Sequence, residues 1–247
     1  MKLRILSMNI GNPSLERAQR QYEWLKGNDY DVLVLTETRN SAGCSYIEQQ
    51  FVDDGMNEFF PKSQSKELGV MLVNKYALED RKSIFDEDNP LYTRYAEAKI
   101  QAGGRKICLI GLYVPSRDRS EAKINRKRTF IDAVTEKFVH NHNGDYIITG
   151  DLNILDRKHE PHYNTFYKWE YDFYDDILSS GFTDAFRCIN GGKQDYSWVG
   201  RTGDGYRYDY CFVSDQLKPS LRVCKFIHKI HELKLTDHSA IETIIEL

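Results

Sequence analysis

Polar side chains recur at the ends of the apolar, strand-like runs of this 247-residue chain. They follow, interrupt or precede five separate runs, at Asn9, Glu37, Asp151 with Asn153, Asp209, and Asp237 with His238. One such position is an ordinary turn, but five predict polar groups gathered at one edge of a sheet. That arrangement is costly unless a metal, a phosphate or mutual hydrogen bonds satisfy the groups. The pattern therefore indicates a metal-dependent phosphoesterase site.

Length and composition predict one domain that spans residues 1–247, because strand-like runs are spread evenly and no linker interrupts them. The net charge of −3 excludes a generally basic nucleic-acid coat but permits a local basic groove. The five cysteines form no CxxC pair, which favours a reducing compartment. No run approaches the roughly 20 apolar residues of a membrane helix. We therefore expect a cytoplasmic protein with no membrane partner.

The strand and helix patterns predict two packed sheets with helices outside them, although a doubly wound sheet would also fit. Predicted strands lie at 3–9, 31–36, 69–74, 94–101, 105–114, 145–150, 195–199, 207–213, 221–227 and 239–246. Predicted helices lie at 14–27 behind Ser14, about 42–53, 120–140 behind Ser120, and 165–180 before Gly181.

Glu37 and Asn9 close two of the buried strand patterns. A carboxylate at such a position suits a hard divalent cation such as Mg²⁺, which prefers oxygen ligands. A strand-terminal ion pair between Glu37 and Arg39, and an ordinary turn at Asn9, would also fit.

The segment GDLN places Asp151 and Asn153 at alternate positions, so both side chains can project to one side. Asp151 could orient and deprotonate a water, while the neutral amide of Asn153 hydrogen-bonds to a phosphate oxygen. An Asx turn is the alternative interpretation.

The segment TDH pairs Asp237 with His238 before the last strand. Such a histidine can stabilise a phosphate oxygen or act in acid–base chemistry if a carboxylate fixes its tautomer. Asp209, inside the apolar run RYDYCFV, is the predicted orienting partner, because a buried carboxylate needs one.

In chain order, MN, LTE, GLYVPS, GDLN, YSW, GYRYDY and TDH resemble the motifs of the endonuclease/exonuclease/phosphatase superfamily. The likeness runs from about residue 3 to 246 and is strongest to the exonuclease III and apurinic/apyrimidinic endonuclease branch. It implies a four-layer α/β/β/α sandwich of two mainly antiparallel sheets with outer helices.

The resemblance also implies the roles of the site residues. Metal ligands would be Glu37, Asn9 and Asp237, and the ion would be Mg²⁺, with Mn²⁺ as a substitute. Asp151 would activate the water. Asn153 and Tyr113 would contact the scissile phosphate, and His238, oriented by Asp209, would stabilise its developing charge.

At several positions of these motifs the chain has a different residue from the one usual in the family, and some of these positions would contact the substrate. Ser116, a predicted substrate contact, follows YVP where the DNA-repair branch has Asn, and Thr36, Thr236, Ala240 and Gly11 also differ. Trp198, Tyr206 and Tyr208 match the positions of the abasic-sugar pocket and could stack on a base or sugar, or could be core aromatics.

Basic residues offer further phosphate contacts. Arg39 is the preferred single candidate. The run RDRSEAKINRKR (117–128) could track a phosphate backbone or be a solvated helix start.

The first hypothesis is a monomeric, Mg²⁺-dependent DNA nuclease of exonuclease or abasic-site endonuclease type that acts in DNA repair. The second is a phosphoesterase of the same superfamily acting on RNA, a phosphoinositide or another small phosphoester. The third is a non-catalytic nucleic-acid-binding module.

Overall fold

Two six-stranded sheets form the centre of the molecule in a computed structural model that describes residues 1–64, 66–136 and 142–247. The first sheet contains, in spatial order, β13 (Leu221–Ile227), β14 (Ala240–Glu246), β1 (Lys2–Asn9), β2 (Val32–Thr38), β4 (Gly69–Asn74) and β3 (Asn57–Phe59). The second contains β5 (Glu79–Lys82), β6 (Tyr95–Ala102), β7 (Arg105–Tyr113), β8 (Asp145–Asp151), β12 (Asp209–Ser214) and β9 (Phe182–Asp184). A separate hairpin pairs β10 (Trp198–Val199) with β11 (Gly205–Tyr206).

Each sheet has one parallel pair at its centre, β1 with β2 and β7 with β8, and its other pairings are antiparallel. Parallel neighbours need a long crossover, and α1 (Leu15–Gly27) and α3 (Glu121–Val134) supply the two crossovers. The sheets are thus mixed but mainly antiparallel, as expected.

The layers are held by three apolar clusters. One fills the space between the sheets and includes Val34, Leu109 and Ile147. A second packs α1 and α2 (Ala42–Asp53) on the first sheet, and a third packs α3 and α4 (Lys168–Ser179) on the second. This is the predicted four-layer sandwich, and the doubly wound alternative is wrong.

The predicted long elements are present, and short ones were missed. The strand predicted at 195–199 contains only β10 as regular strand, and the helix predicted at 165–180 begins at Lys168. The missed elements are β3, β5, β9, β11, α5 (Ala185–Asn190) and α6 (Lys229–Glu232). β5, for example, is exposed along its whole length and has no apolar alternation to detect.

Two helix starts behave differently. Ser14 caps α1, its hydroxyl accepting from the amide of Arg17 at 3.3 Å. Ser120 precedes α3 but donates to Asp118 at 2.6 Å and makes no capping hydrogen bond. Of the helix predicted at 120–140, residues 137–140 lie outside the described part. Within the described ranges, no helix is long and apolar enough to cross a membrane.

Candidate active site

The polar strand ends meet at one cavity of about 380 Å³. Nine of the thirteen residues predicted from the sequence line it: Glu37, Ser116, Asp151, Asn153, Trp198, Tyr206, Tyr208, Asp237 and His238. Three others contact this lining through hydrogen bonds, namely Asn9, Tyr113 and Asp209. The structure therefore brings together residues that are up to 229 positions apart, from Asn9 to His238.

Asp151 is buried at the centre of the group. Its Oδ2 accepts from Asn9 Nδ2 at 3.0 Å, and its Oδ1 accepts from the amide of Asn153 at 3.1 Å. Burial and the nearby charge of Asp209 raise the pKa of Asp151 to about 8. Its carboxyl group is thus held in a fixed orientation and has a higher affinity for a proton than an ordinary aspartate.

The glycine before Asp151 is required by the close approach of two strands. Gly150 has φ 149°, and a Cβ there would lie 2.0 Å from the carbonyl oxygen of Leu112 on β7. The parallel register then sets Asp151 opposite Tyr113. This local geometry explains why GDLN carries its glycine.

Asp209 and His238 form a buried pair across the site. His238 Nδ1 lies 2.8 Å from Asp209 Oδ2, and the backbone amide of Asp209 donates to Ser197 Oγ at 3.1 Å. Burial alone would lower the pKa of His238, but Asp209 and Asp151 outweigh it and raise that pKa to about 10. The imidazole is therefore cationic at neutral pH, with Nδ1–H donating to Asp209.

Glu37 lies in a bulge of β2, where the pairing with β4 shifts between Thr36 and Thr38. Its φ of 54° is unusual for a residue other than glycine. Bulges re-aim side chains, and strained backbone is common at functional sites. Glu37 Oε1 accepts from the hydroxyl of Tyr113 at 3.1 Å, while its side chain lines the cavity.

The carboxylates fit a hard divalent cation. Glu37 and Asp237 both reach the cavity, and Asp237 Oδ2 is held by Trp198 Nε1 at 3.1 Å. Asn9 Oδ1 accepts from the amide of Gly11 at 3.0 Å. Carboxylate and amide oxygens are ligands that Mg²⁺ accepts. Asp151, Asp209 and His238 form another buried group of potential ligands, and their ligand atoms lie within 4.8 Å of one another.

The charge balance of the site also favours a cation. Glu37, Asp151, Asp237 and Glu170 line the cavity and Asp209 contacts His238 behind it, so five carboxylates face three basic side chains, those of His238, Arg117 and Lys127. The Oδ1 atom of Asp209 is buried and has no hydrogen-bond partner among residues 1–64, 66–136 and 142–247. Like charges at this spacing disfavour one another unless a counter-charge is present.

The predicted aromatic residues form one wall of the cavity. The rings of Tyr206 and Tyr208 stack with centroids 5.1 Å apart, and Trp198 lies 5.6 Å from Tyr206. The sequence did not single out Tyr163, whose ring stacks on Tyr206 at 4.4 Å. All three predicted residues are only half-buried, so part of each side chain can contact a substrate.

Arg39 is the one predicted site residue that the structure does not bring to the cavity. Its guanidinium donates to the carbonyl oxygen of Lys66, and its amide donates to Cys44 Sγ at 3.4 Å. The bulge at Glu37 turns that side chain inward, whereas Arg39 is engaged by the neighbouring loop. The alternative interpretation of Glu37, an ion pair with Arg39, is not formed in the structure either.

Apart from the exposed Arg119, the basic residues of the run 117–128 divide into two groups. Lys123, Arg126 and Arg128 make ion pairs with Asp118, Glu67 and Asp132 respectively. Arg117 and Lys127 instead line the cavity and share the buried carboxylate of Glu170. The sequence shows the run of basic residues, but it does not show which of them line the cavity.

Comparison with known proteins agrees with this geometry. The family model described as "Endonuclease/Exonuclease/phosphatase family" matches residues 6–238. A search of curated proteins gave no match.

Solved structures show the same fold. The chain is similar to an AP endonuclease from Archaeoglobus fulgidus, with 23% identity, TM-score 0.83, and coverage of 99% of this chain and 100% of that one. It is also similar to a 3'-5' exonuclease from Neisseria meningitidis, with 21% identity, TM-score 0.83 and the same coverage. A 3' phosphatase from Neisseria bound to a product DNA hairpin aligns over 99% and 100% of the two chains, with 20% identity and TM-score 0.82. Because the family model covers nearly the whole chain, this protein belongs to the endonuclease/exonuclease/phosphatase family.

Proposed function

We propose that this protein is a metal-dependent phosphodiester hydrolase, and specifically a DNA nuclease of the exonuclease III or abasic-site endonuclease type. The observation that carries the proposal is the convergence of Glu37, Asp151, Asp209 and His238 on one cavity in a member of this family. Attack by water at phosphorus needs a base, a donor for the developing negative charge and a counter-charge for the phosphate.

The chain supplies the base and its orientation. Asp151 takes the proton of the attacking water, and its two oxygens are fixed by Asn9 and by the amide of Asn153. The side chain of Asn153 donates to the carbonyl of Val114 at 3.1 Å, which leaves its second N–H for a phosphate oxygen.

The chain also supplies a donor for the phosphate. His238 is cationic and is oriented by Asp209, so its Nε2–H can donate to an oxygen on which charge develops. The hydroxyl of Tyr113 donates to Glu37 Oε1 at 3.1 Å and is a second potential donor to the phosphate. A phosphate held between these groups would be cleaved in line.

A divalent cation, Mg²⁺ with Mn²⁺ as a substitute, would be held by Glu37 and Asp237 with Asn9 beside them. When bound, it would act as a Lewis acid on the phosphate oxygens. This assignment explains why several carboxylates share one cavity with a single histidine.

DNA is the proposed substrate because two of the similar structures are described as an AP endonuclease and as a protein bound to a DNA hairpin. The stacked wall of Trp198, Tyr206 and Tyr208 is of the kind that holds single or extruded nucleotides. We further propose a cytoplasmic monomer that acts in DNA repair.

An assay panel tests the proposal. The purified protein is incubated with abasic, nicked and single-stranded DNA, with RNA and with chromogenic phosphoesters, with Mg²⁺ or with EDTA. Mg²⁺-dependent cleavage of DNA is expected. Cleavage of RNA or of a small phosphoester with DNA intact would favour the second hypothesis, and retention of DNA without turnover of any ester would favour the third.

Mg²⁺ binding can be checked without activity. A ligand of the folded state at 100 times its dissociation constant stabilises that state by about 2.7 kcal/mol. We expect Mg²⁺ to raise the melting temperature of the wild type and to have a smaller effect on Glu37→Gln. Equal shifts in the two proteins would contradict the assignment of Glu37 as a ligand.

A further inference from the structure

The wall of the cavity formed by Arg117 holds a guanidinium in one fixed position. Nε and Nη2 of Arg117 both donate to Glu170, and Nη2 also donates to the carbonyl of Thr165 at 2.7 Å. The guanidinium carbon lies 4.3 Å from the ring centroid of Tyr167. Only 8% of the Arg117 side chain is exposed. The remaining nitrogen, Nη1, makes no hydrogen bond to any residue in the described part of the chain.

The neighbouring Lys127 adds a second charge to the same wall. Its Nζ is buried, and it donates to Glu170 Oε1 at 2.6 Å and to the carbonyl oxygen of Asn153 at 2.5 Å. The other oxygen of Glu170 also accepts from the amide of Tyr167 at 2.8 Å. One fully engaged carboxylate therefore serves two basic side chains. Burial outweighs Glu170 and lowers the pKa of Lys127, and Arg117 makes no ion pair besides that with Glu170 in the described part of the chain.

The cavity is lined by side chains of both charges. The carboxylates of Glu37, Asp151 and Asp237 line it, and so do Arg117 and Lys127. A single phosphate that is bound with a cation at the carboxylates leaves Arg117 Nη1 without a hydrogen-bond partner. The cavity volume of about 380 Å³ lies in the range of about 300–1,000 Å³ that is typical of small-ligand sites. There is thus room for more than the scissile group.

We propose that Arg117 binds a second phosphate of the nucleic-acid strand, one that flanks the scissile phosphodiester, through Nη1. Arginine suits this task because its planar donors are fixed before the ligand arrives. Lys127 is a positioning residue, since it holds Glu170 below Arg117 and the backbone of Asn153 beside the scissile site. The inference rests on the proposed function and adds a specificity determinant to it: the site requires a strand, and a lone phosphodiester fills only half of it.

The first test uses the wild-type protein with Mg²⁺. The substrates are DNA oligonucleotides that the protein cleaves at one bond. In each of them one phosphate is replaced by an uncharged methylphosphonate, and the set covers two positions on each side of the scissile bond. We expect one of these positions to raise KM by about 10- to 100-fold, the range for loss of a hydrogen bond between charged groups. Cleavage that is insensitive to methylphosphonate at every position would overturn the proposal but leave the nuclease assignment intact. Absence of any DNA cleavage would overturn both.

The second test assigns the effect to Arg117. Arg117→Gln should raise KM for all-phosphate DNA by a similar factor and should remove the discrimination against the sensitive methylphosphonate, as a double-mutant cycle shows. KM for bis(p-nitrophenyl) phosphate, which has no second phosphate, should change far less. Arg117→Lys should be intermediate. Arg222→Gln, which removes an equal charge from an exposed ion pair with Glu246, should leave the discrimination intact.

A purely structural ion pair predicts a different result. If Arg117 only stabilises the fold, Arg117→Gln lowers kcat for both substrates alike and retains the methylphosphonate effect. That result would overturn the assignment of Arg117.

Discussion

Two buried charge clusters, one around Asp209 and one around Arg207, differ in their balance of positive and negative charge. At the active site, five carboxylates lie at or beside a cavity that holds only three basic side chains. Two residues before Asp209, the buried Arg207 donates to Asp156 at 2.6 Å and to Asp184 at 2.8 Å. Arg187 contacts Asp156 at 3.0 Å, so this second cluster, the Arg207 cluster, pairs two cations with two carboxylates.

The difference separates function from structure. The Arg207 cluster has as many carboxylates as cations, and the ring of Tyr210 lies 4.2 Å from the Arg207 guanidinium carbon. The active site instead has more carboxylates than cations, namely Glu37, Asp151, Asp209, Asp237 and Glu170 against His238, Arg117 and Lys127. An unbalanced cluster must gain something from outside, such as a cation or a substrate, whereas a balanced one only holds the chain together.

The largest expected effect removes the catalytic base. Asp151→Asn should lower kcat/KM for DNA by about 10³-fold or more, because the amide cannot accept the proton of water. The free energy of unfolding should stay equal or rise, because the repulsion with Asp209 and Glu37 is relieved. Kinetics and denaturant unfolding of the same preparation check both. Activity within tenfold of the wild type, or a marked loss of stability, would contradict this view of the site.

The next prediction is a loss of stability, in contrast to the unchanged or higher stability expected for Asp151→Asn. Arg207→Met leaves Asp156 and Asp184 buried with fewer partners and should lower the free energy of unfolding by about 3–5 kcal/mol. The matched control is Arg222→Met, whose ion pair with Glu246 at 2.8 Å is about half exposed and should cost about 0–1 kcal/mol. If the two variants are equally stable, the Arg207 cluster is not the structural one.

The smallest expected effect is on the loss of stability at low pH. Burial alone would raise the pKa of Asp156, but Arg207 and Arg187 outweigh it and hold that pKa below its ordinary value. Its contribution to stability is therefore present above the unfolded pKa of about 3.9 and is lost as pH falls through the lower folded value. Asp156→Asn should reduce the loss of stability between pH 7 and pH 3 by at most about 1 kcal/mol. Parallel curves for variant and wild type would show that Asp156 carries no such linkage.

Much of the candidate site could be predicted because it lies where strand patterns end. Asp151 and Glu37 each follow a buried run, and the alternation along a strand limits which way their side chains face. The family motifs then supplied the partners, and the structure does place Asp209 beside His238. The bulge that turns Glu37 toward the cavity left no trace in the pattern of apolar residues.

The sequence by itself determined the order of the long strands and helices and the polar residues at their ends, because these follow from local periodicity. Only the tertiary structure decided that Arg39 meets the Lys66 carbonyl, while Arg117 and Lys127 converge on Glu170. A long cationic side chain can reach many partners from one backbone position. Its choice depends on which carboxylate or carbonyl the packing of distant segments brings within about 3 Å, and no local pattern encodes that distance.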